Sequence, residues 1–556
     1  MYSNFKSFLL FTFFITAFYQ GYSQEKPNFI FILTDDQSYG MMGCTGNEIV
    51  ETPNLDKLAN DGILFNNAHI TSAICTPSRI SILLSQFERK HAVNFNSGTS
   101  VSDEAWAKSY PVVIRNAGYY TGWIGKNHAP IGKGGYGSGL MDKSFDYWYA
   151  GHGHIRFYPK EVHDIFNDAI AHTQSEIINE SIDDFLDPNE RKLKGAIKFL
   201  EVRPEDKPFM LSINFNLPHG AGTGSMQMRK TDDEIYRTKY RDLDIPLPAN
   251  YIAKKDIKTP KLPANVLKVE NRQTGYNYAD TAEGTIERYT RQLQAMTGID
   301  RVVGNLRNKL KELKLDKNTV IIFTSDHGLF MGEQGLGGKA LCYEKTTHVP
   351  MIVYNPNLKK KQRGKTSDAL VQSIDVAPTM LSLADVDIPK EFQGKDISGL
   401  VEGNNAEVRD YVFTENLWST QFGNPKIEAV QNKEWKYIRY YKNDMFPANK
   451  KIAAAKELDL KINDLLYKVH DTDIAIYRAL SNGSLEGDKP VYEELYNLKN
   501  DPTELNNLAE NAQYASIINE MKVVWKNELI KARGEGKPKV HRYTVDSESV
   551  STYKSK

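Results

Sequence analysis

Cysteine is scarce in this 556-residue chain, which has three: Cys44, Cys75 and Cys342. With so few thiols and no CxxC pair, a disulfide scaffold and a zinc ribbon are excluded. An excess of either charge is also missing. Lys+Arg and Asp+Glu both number 70, so the formal net charge is +0. No global basic field exists to gather nucleic acid or an anionic membrane. Beyond the N-terminus the chain lacks any apolar run of about 18 residues, so no membrane span is expected. It has no internal repeat. What is present is ordinary globular composition, 40% hydrophobic and 25% charged, which rules out wholesale disorder, collagen and coiled coil. Aromatics reach 11%, with 30 Tyr, a lean toward proteins that grip sugars.

Lys6 precedes an apolar run from Phe8 to Phe18, and Gly21-Tyr22-Ser23 puts small residues where a cleavage site needs them. The run is shorter than the roughly 20 residues that cross a bilayer. Residues 1–23 therefore read as a secretory signal peptide, and the protein is expected to be exported, periplasmic or secreted. Length alone is compatible with three to four domain-sized units, or with one large domain and a smaller one.

Asn28 to Leu33 is a continuous apolar run, the pattern of a strand buried on both faces. Further strands are expected at Tyr119–Ile124, Phe209–Phe215, Val320–Phe323 and Met351–Tyr354. Between them, helices are expected after Thr52-Pro53, with Thr52 as N-cap and Gly62 as the stop. Others are expected near Tyr110–Asn116, Glu190–Glu201 and Thr285–Leu315, the last carrying Ile299, Val302, Val303, Leu306, Leu310 and Leu313 at helical spacing. This alternation predicts an α/β fold with a large, mainly parallel sheet flanked by helices. From about residue 401 the texture changes. Tyr411–Phe413 and Trp435–Tyr440 look like strands of a small antiparallel sheet, and a helix is expected near Ala515–Lys531. The expected organisation is signal peptide 1–23, catalytic domain 24–400, C-terminal α+β subdomain 401–535 and a loose polar tail 536–556.

In open parallel sheets chemistry gathers beyond the carboxyl ends of the strands. Four such ends carry polar residues: Asp35-Asp36, Gly125-Lys126-Asn127-His128, Leu217-Pro218-His219 and Ser325-Asp326-His327-Gly328. An Asp after a strand is often only a turn former. Two carboxylate-bearing ends on neighbouring strands would instead make a hard, oxygen-rich site for a Ca²⁺- or Mg²⁺-type cation. Cys75-Thr76-Pro77-Ser78-Arg79 opens a helix whose body is Ile80 to Leu84. A cysteine there feels the positive end of the helix dipole; a buried small hydrophobe is the plain alternative.

Cys-x-Pro-Ser-Arg, in this order with these partners, resembles the formylglycine signature of the type I sulfatases, in the alkaline phosphatase-like superfamily. The resemblance covers most of the chain, including the Thr52–Ala59 helix, Gly118-Tyr119, Gly338-Lys339 and the run from Glu494 to Pro502. It implies that a formylglycine-generating or sulfatase-maturating enzyme converts Cys75 to 3-oxoalanine. It implies one Ca²⁺ held by Asp35, Asp36, Asp326, His327 and residue 75. Many relatives have Asn at the position of His327, and commonly Trp at the position of Asn127; the latter change removes an aromatic wall and leaves Lys126 and His128.

The resemblance also implies roles. A hydroxyl of the hydrated aldehyde attacks sulfur in line, and His219 protonates the departing sugar oxygen. His128 then takes the proton of the remaining hydroxyl, and sulfate leaves by elimination. Lys126 and Lys339 clamp sulfate oxygens, and Arg79 orients the formylglycine. The implied substrate is a sulfated oligo- or polysaccharide of the ulvan, carrageenan or fucoidan type. Two alternatives stay open: a phosphonate or phosphate monoester hydrolase of the same superfamily, and a non-catalytic glycan-binding protein if Cys75 stays unmodified. The glycine-rich stretches 132–139 and 332–338 do not fit a P-loop, since Ala340 follows Lys339, and read as active-site loops. His152, His154 and Arg156 are equally a substrate grip or a solvated loop. Cys44 and Cys342 are free to pair if their distance allows.

Overall fold

The structure is a computed structural model that describes residues 26–93, 99–151, 185–187, 192–219, 238–267, 276–403, 407–417, 425–441, 483–536 and 538–542. The expected signal peptide lies outside the described residues, as do His152, His154 and Arg156.

The strands of the main sheet are β1 (Asn28–Asp35), β2 (Ile63–His69), β3 (Tyr120–Lys126), β4 (Tyr147–Gly151), β5 (Phe209–Pro218), β6 (Thr319–Ser325), β7 (Met351–Tyr354) and β8 (Lys365–Gln372). Their order across the sheet is β8-β2-β7-β6-β1-β5-β3-β4. All neighbouring pairs are parallel except those made by β7, which runs against both β2 and β6. The sheet is therefore the mainly parallel one expected. Strands β2, β4 and β8 were not expected: Asn66 and Asn67 interrupt the apolar run of β2, and the first half of β8 is exposed.

Helices α1 (Pro53–Asp61), α2 (Cys75–Leu84), α3 (Glu88–His91), α4 (Tyr110–Asn116), α5 (Ala196–Val202), α6 (Ala282–Glu312) and α7 (Val376–Leu383) cover both faces. Strand side chains alternate between the two layers. Phe29, Phe31 and Leu33 of β1 pack with α2, α4 and α7, whereas Ile30 and Ile32 pack with α1, α5 and α6.

Two local expectations hold by position but for a different reason, and one is corrected. Thr52 does precede α1, but its hydroxyl accepts the Gly43 N–H at 2.9 Å instead of capping the helix. Gly62 ends α1 without a left-handed φ; it is small because a Cβ there would meet the Val353 carbonyl oxygen at 2.6 Å. The helix expected from Glu190 is shorter. Residues 192–194 are strand, paired with 185–187, and α5 begins at Ala196.

A separate antiparallel sheet follows, in the order β9 (Val412–Asn416), β10 (Lys426–Gln431), β11 (Trp435–Tyr441) and β12 (Tyr492–Asn497), with α8 (Ala515–Arg533) packed on it. Strand β10 is one that sequence patterning missed. Arg89 on α3 is fully buried between Glu415 of β9 and Glu428 of β10, pairing with both. Part of the tail is also anchored: Val540–Arg542 pairs with Thr99–Val101. Cys44, Cys75 and Cys342 are all free thiols, so Cys44 and Cys342 do not pair.

Candidate active site

The register of the sheet builds the site. Thr34 of β1 lies opposite Ser325 of β6, and Asp35 lies opposite Pro218 of β5 after an irregularity in the pairing. Residues 35–36, 219 and 326–327 thus leave the same sheet edge side by side. Asp36 sits at φ 65°, which turns the chain sharply. Its N–H donates to Asp326 Oδ1 at 3.2 Å, and the Gln37 N–H donates to Ser325 Oγ at 3.1 Å. Next to β5, Gly125 at φ +96° lets β3 approach: a Cβ there would stand 2.0 Å from the Asn214 carbonyl oxygen. That places Lys126 at the same edge.

Helix α2 enters this edge with Cys75 as its first residue, and every side chain of α2 is buried. Cys75 Sγ lies 3.2 Å from His327 Nε2 and 3.1 Å from Lys339 Nζ. Lys339 Nζ also donates to Asp36 Oδ1 at 2.9 Å, and His327 Nδ1 is 3.2 Å from that same oxygen. One ligand atom each from Asp35, Asp36, Cys75 and His327 lies within 4.8 Å of the others. Asp326 adjoins this group, with Oδ1 3.6 Å from His327 Nε2, while Oδ2 accepts from Arg79 Nε at 2.9 Å.

The donors fit a divalent cation. Asp35 Oδ1 and Asp36 Oδ2 are buried and have no hydrogen-bond partner among the described residues. Leaving such oxygens unsatisfied is costly unless an ion or water meets them. Carboxylate oxygens suit a hard cation, with an imidazole as an additional ligand.

The cations of the site are placed on its carboxylates. Lys126 Nζ meets Asp35 Oδ2 at 2.5 Å. Arg79 Nη2 is 4.0 Å from Asp35 Oδ1, and Nη1 donates to the Lys126 carbonyl. Burial by itself would raise the Asp35 carboxyl, but Lys126 and Arg79 outweigh it and hold the group far below the usual carboxylate range. Burial and the Asp35 charge push Asp326 upward. Burial would lower the His327 imidazole, yet Asp326, Cys75 and Asp36 carry it up to about 9. Burial likewise disfavours the Lys339 ammonium, and Asp36 and Cys75 still keep it charged well beyond the ordinary lysine range.

Every residue expected at the site on grounds of motif is at this edge. Arg79 donates to Asp326 and to the Lys126 and Phe215 carbonyls, which braces the carboxylate beside residue 75. Ser78 adds to this by donating to the Asp326 carbonyl at 2.6 Å. His219 Nε2 is 3.6 Å from Asp36 Oδ2, and its carbonyl accepts from Arg288 at 3.5 Å. His128, at φ 41°, lies beside the ring of Tyr136.

A buried thiol at a helix start is ringed by Asp35, Asp36, His327 and Lys339. The sulfatase family profile fits residues 27–386, well over half of the sequence. The chain belongs to the sulfatase family. A second profile, the C-terminal part of N-sulphoglucosamine sulphohydrolase, fits residues 332–461. An N-acetylglucosamine-6-O-sulfatase of Bacteroides thetaiotaomicron is 25% identical, over 88% of this chain and 84% of that one. An ulvan-active sulfatase of Formosa agariphila is 28% identical, over 89% and 78%. Among solved structures, a protein in complex with its substrate D-glucosamine-2-N,6-O-disulfate superposes with a TM-score of 0.63 at 21% identity, over 92% and 98%. This sulfatase is accordingly a sulfuric ester hydrolase.

Sequence patterning did not single out three residues at the candidate site. Tyr136 comes from the glycine-rich stretch 132–139, which was expected as an active-site loop without this residue being singled out. Arg288 lies on α6, supporting His219 while its guanidinium sits 4.0 Å from the centre of the Tyr278 ring. Tyr276 is buried, and burial together with the charges of Asp36 and Cys75 raises its phenol strongly. None stands in a motif; only the loops and the long helix deliver them.

Proposed function

We propose that this sulfatase is exported, holds Ca²⁺, carries formylglycine at position 75 and hydrolyses sulfate esters of a sulfated oligo- or polysaccharide of the ulvan, carrageenan or fucoidan type. One observation carries the reading: Cys75 Sγ stands between His327 Nε2 and Lys339 Nζ, beside oxygens of Asp35 and Asp36 that have no hydrogen-bond partner among the described residues. Two ulvan-active sulfatases of Formosa agariphila, 28% and 25% identical, support the glycan class.

Asp35, Asp36, Asp326, His327 and residue 75 would hold the cation, which supplies Lewis-acid withdrawal of charge from sulfate oxygen. Converted and hydrated, residue 75 supplies a hydroxyl nucleophile and a second hydroxyl whose loss of a proton releases sulfate. Lys126 and Lys339 face the negative sulfate; one unit charge pair at 4 Å is worth roughly 4 kcal/mol at an effective dielectric of about 20. His219, oriented by Asp36 and Arg288, holds the proton for the departing sugar oxygen. Such help is worth ~10²–10⁴ in rate. His128 receives the proton that returns the aldehyde. Arg79 and Ser78 keep Asp326 beside the nucleophile.

The test is production in a host with a maturating enzyme. The peptide holding Cys75 should show sulfur replaced by a carbonyl oxygen, and free sulfate should appear from a panel of defined sulfated oligosaccharides. Sulfate release that survives both Cys75→Ala and exhaustive chelation, or a preference for phosphate monoesters over sulfate esters, would overturn the reading.

A further inference from the structure

Asn127 stands between the two basic residues Lys126 and His128, where a wide apolar wall would be expected against a sugar ring. Its amide is nine-tenths buried, and its oxygen has no hydrogen-bond partner among the described residues. The aromatic surface at this place comes from elsewhere. Tyr136 brings its phenol oxygen within 3.5 Å of Thr76 Oγ1, on the residue that follows Cys75. Its ring lies nearly parallel to the His128 ring, 21° between planes and 6.3 Å between centroids. Tyr136 is only half-buried, so part of this surface is available to a ligand.

The segment that carries Tyr136 is held in place. Gly132, Gly134 and Gly135 take φ of +76°, +97° and +60°, a path that L side chains rarely follow. The Val101 N–H donates to the Pro130 carbonyl at 3.0 Å, and the Gly132 N–H donates to the Val101 carbonyl at 2.7 Å. Ser100 Oγ donates to the Gly132 carbonyl at 2.7 Å. The strand 99–101 is paired in turn with 540–542. Tyr136 is thus a stiff aromatic surface on an anchored loop, with few rotors to immobilise on binding.

We propose that Tyr136 and Asn127 form the sugar-binding wall of the sulfate site: the Tyr136 ring packs on the apolar C–H face of the pyranose that bears the sulfate, and the Asn127 amide oxygen accepts one of its hydroxyls. The chemistry needed is that of a polyhydroxylated ring with an apolar face, which a simple alkyl sulfate lacks. An aromatic face against apolar C–H surface gives affinity without charge, and a buried unsatisfied acceptor gives orientation. This rests on the sulfated-glycan reading above.

The test compares full-length, converted wild type with Tyr136→Ala, Tyr136→Phe and Asn127→Ala on a sulfated oligosaccharide and on a ring-less alkyl sulfate. Tyr136→Ala should raise KM for the oligosaccharide about ten-fold, close to 1.4 kcal/mol, with kcat within about three-fold. The ratio of kcat/KM for oligosaccharide over alkyl sulfate should fall by a similar factor. Tyr136→Phe should keep most of the wild-type ratio, and Asn127→Ala should lower it. The proposal fails if Tyr136→Ala leaves the ratio unchanged, or if it lowers kcat equally on both substrates, since either result makes Tyr136 a support for His128 alone. Those failures leave wild-type sulfate release intact. Failure of the glycan reading would instead appear as a wild type that is inactive on every oligosaccharide.

Discussion

Lys339 Nζ bridges Cys75 and Asp36, 3.1 Å from the thiol sulfur and 2.9 Å from a carboxylate oxygen. The lysine therefore joins Cys75 to the candidate cation site in one buried contact.

Lys339→Met tests that bridge. Removing one member of a buried ion pair leaves the other uncompensated, at a cost of about 3–5 kcal/mol. The melting temperature should fall, and kcat should drop by roughly 10²–10³, the scale seen when one donor to a developing charge is lost. Added Ca²⁺ should recover part of the melting temperature by meeting Asp36, and leave kcat low. Calorimetry and sulfate-release kinetics read the two effects separately.

Cation removal should act through Asp35 and Asp36. A ligand present at 100 times its Kd stabilises the fold by about 2.7 kcal/mol. Chelation should therefore lower the melting temperature of the purified protein, and Ca²⁺ should restore it. Asp36→Asn should lose this Ca²⁺-dependent shift. Direct titration calorimetry on Cys75→Ala, which keeps the carboxylates, measures the same binding without turnover.

His91 makes the fold sensitive to acid. It is buried, its Nε2 is 3.0 Å from Ser81 Oγ, and its Nδ1 accepts the Val93 N–H at 3.1 Å. One ring nitrogen accepts, so the imidazole is neutral, and burial lowers its pKa from 6.5 to about 3. The unfolded chain binds a proton that the folded one refuses. Stability from this group is thus intact above pH 6.5 and declines as pH falls toward 3, by up to about 1.4 kcal/mol per pH unit. His91→Gln should flatten the slope of urea midpoint against pH between about 6.5 and 4.5.

Arg89 ties the two sheets together. Its guanidinium pairs with Glu415 and Glu428, and the indole of Trp525 on α8 donates to Glu428 Oε2 at 3.0 Å. Arg89→Ala should destabilise the protein by about 3–5 kcal/mol, because two buried carboxylates lose their cation. Arg89→Met combined with Glu415→Gln and Glu428→Gln should recover much of that loss. Denaturant unfolding of the wild type and these two variants checks this.

The local character of most elements could be read from residue order. Asn28–Leu33 is apolar throughout because β1 is covered on both faces, and the stripe from Ile299 to Leu310 lies on α6 because one face of that helix meets the sheet. Cys75 at the start of α2 and the polar ends of β1, β3, β5 and β6 were legible for the same reason: each is a local pattern with a local cause. Strands β2 and β10 were not, since Asn66-Asn67 find their partner in Asp368 and Lys426-x-Glu428 are buried by residues far along the chain. For Glu428 those residues are Arg89 and Trp525.

By itself, residue order determined that a nucleophile-type cysteine, three aspartates, three histidines and several cations would stand at the ends of strands and helices of an α/β fold. Only the tertiary structure decided which of them touch. Asp35 and Asp326 are 291 positions apart, and they are neighbours because Thr34 pairs with Ser325 across a parallel register that no short window encodes. The packing of α2 and of the loop carrying Lys339 against that edge then brings Arg79 to Asp326 and Lys339 to Asp36. A contact between distant residues depends on how whole strands align and pack, and that alignment is a property of the assembled core.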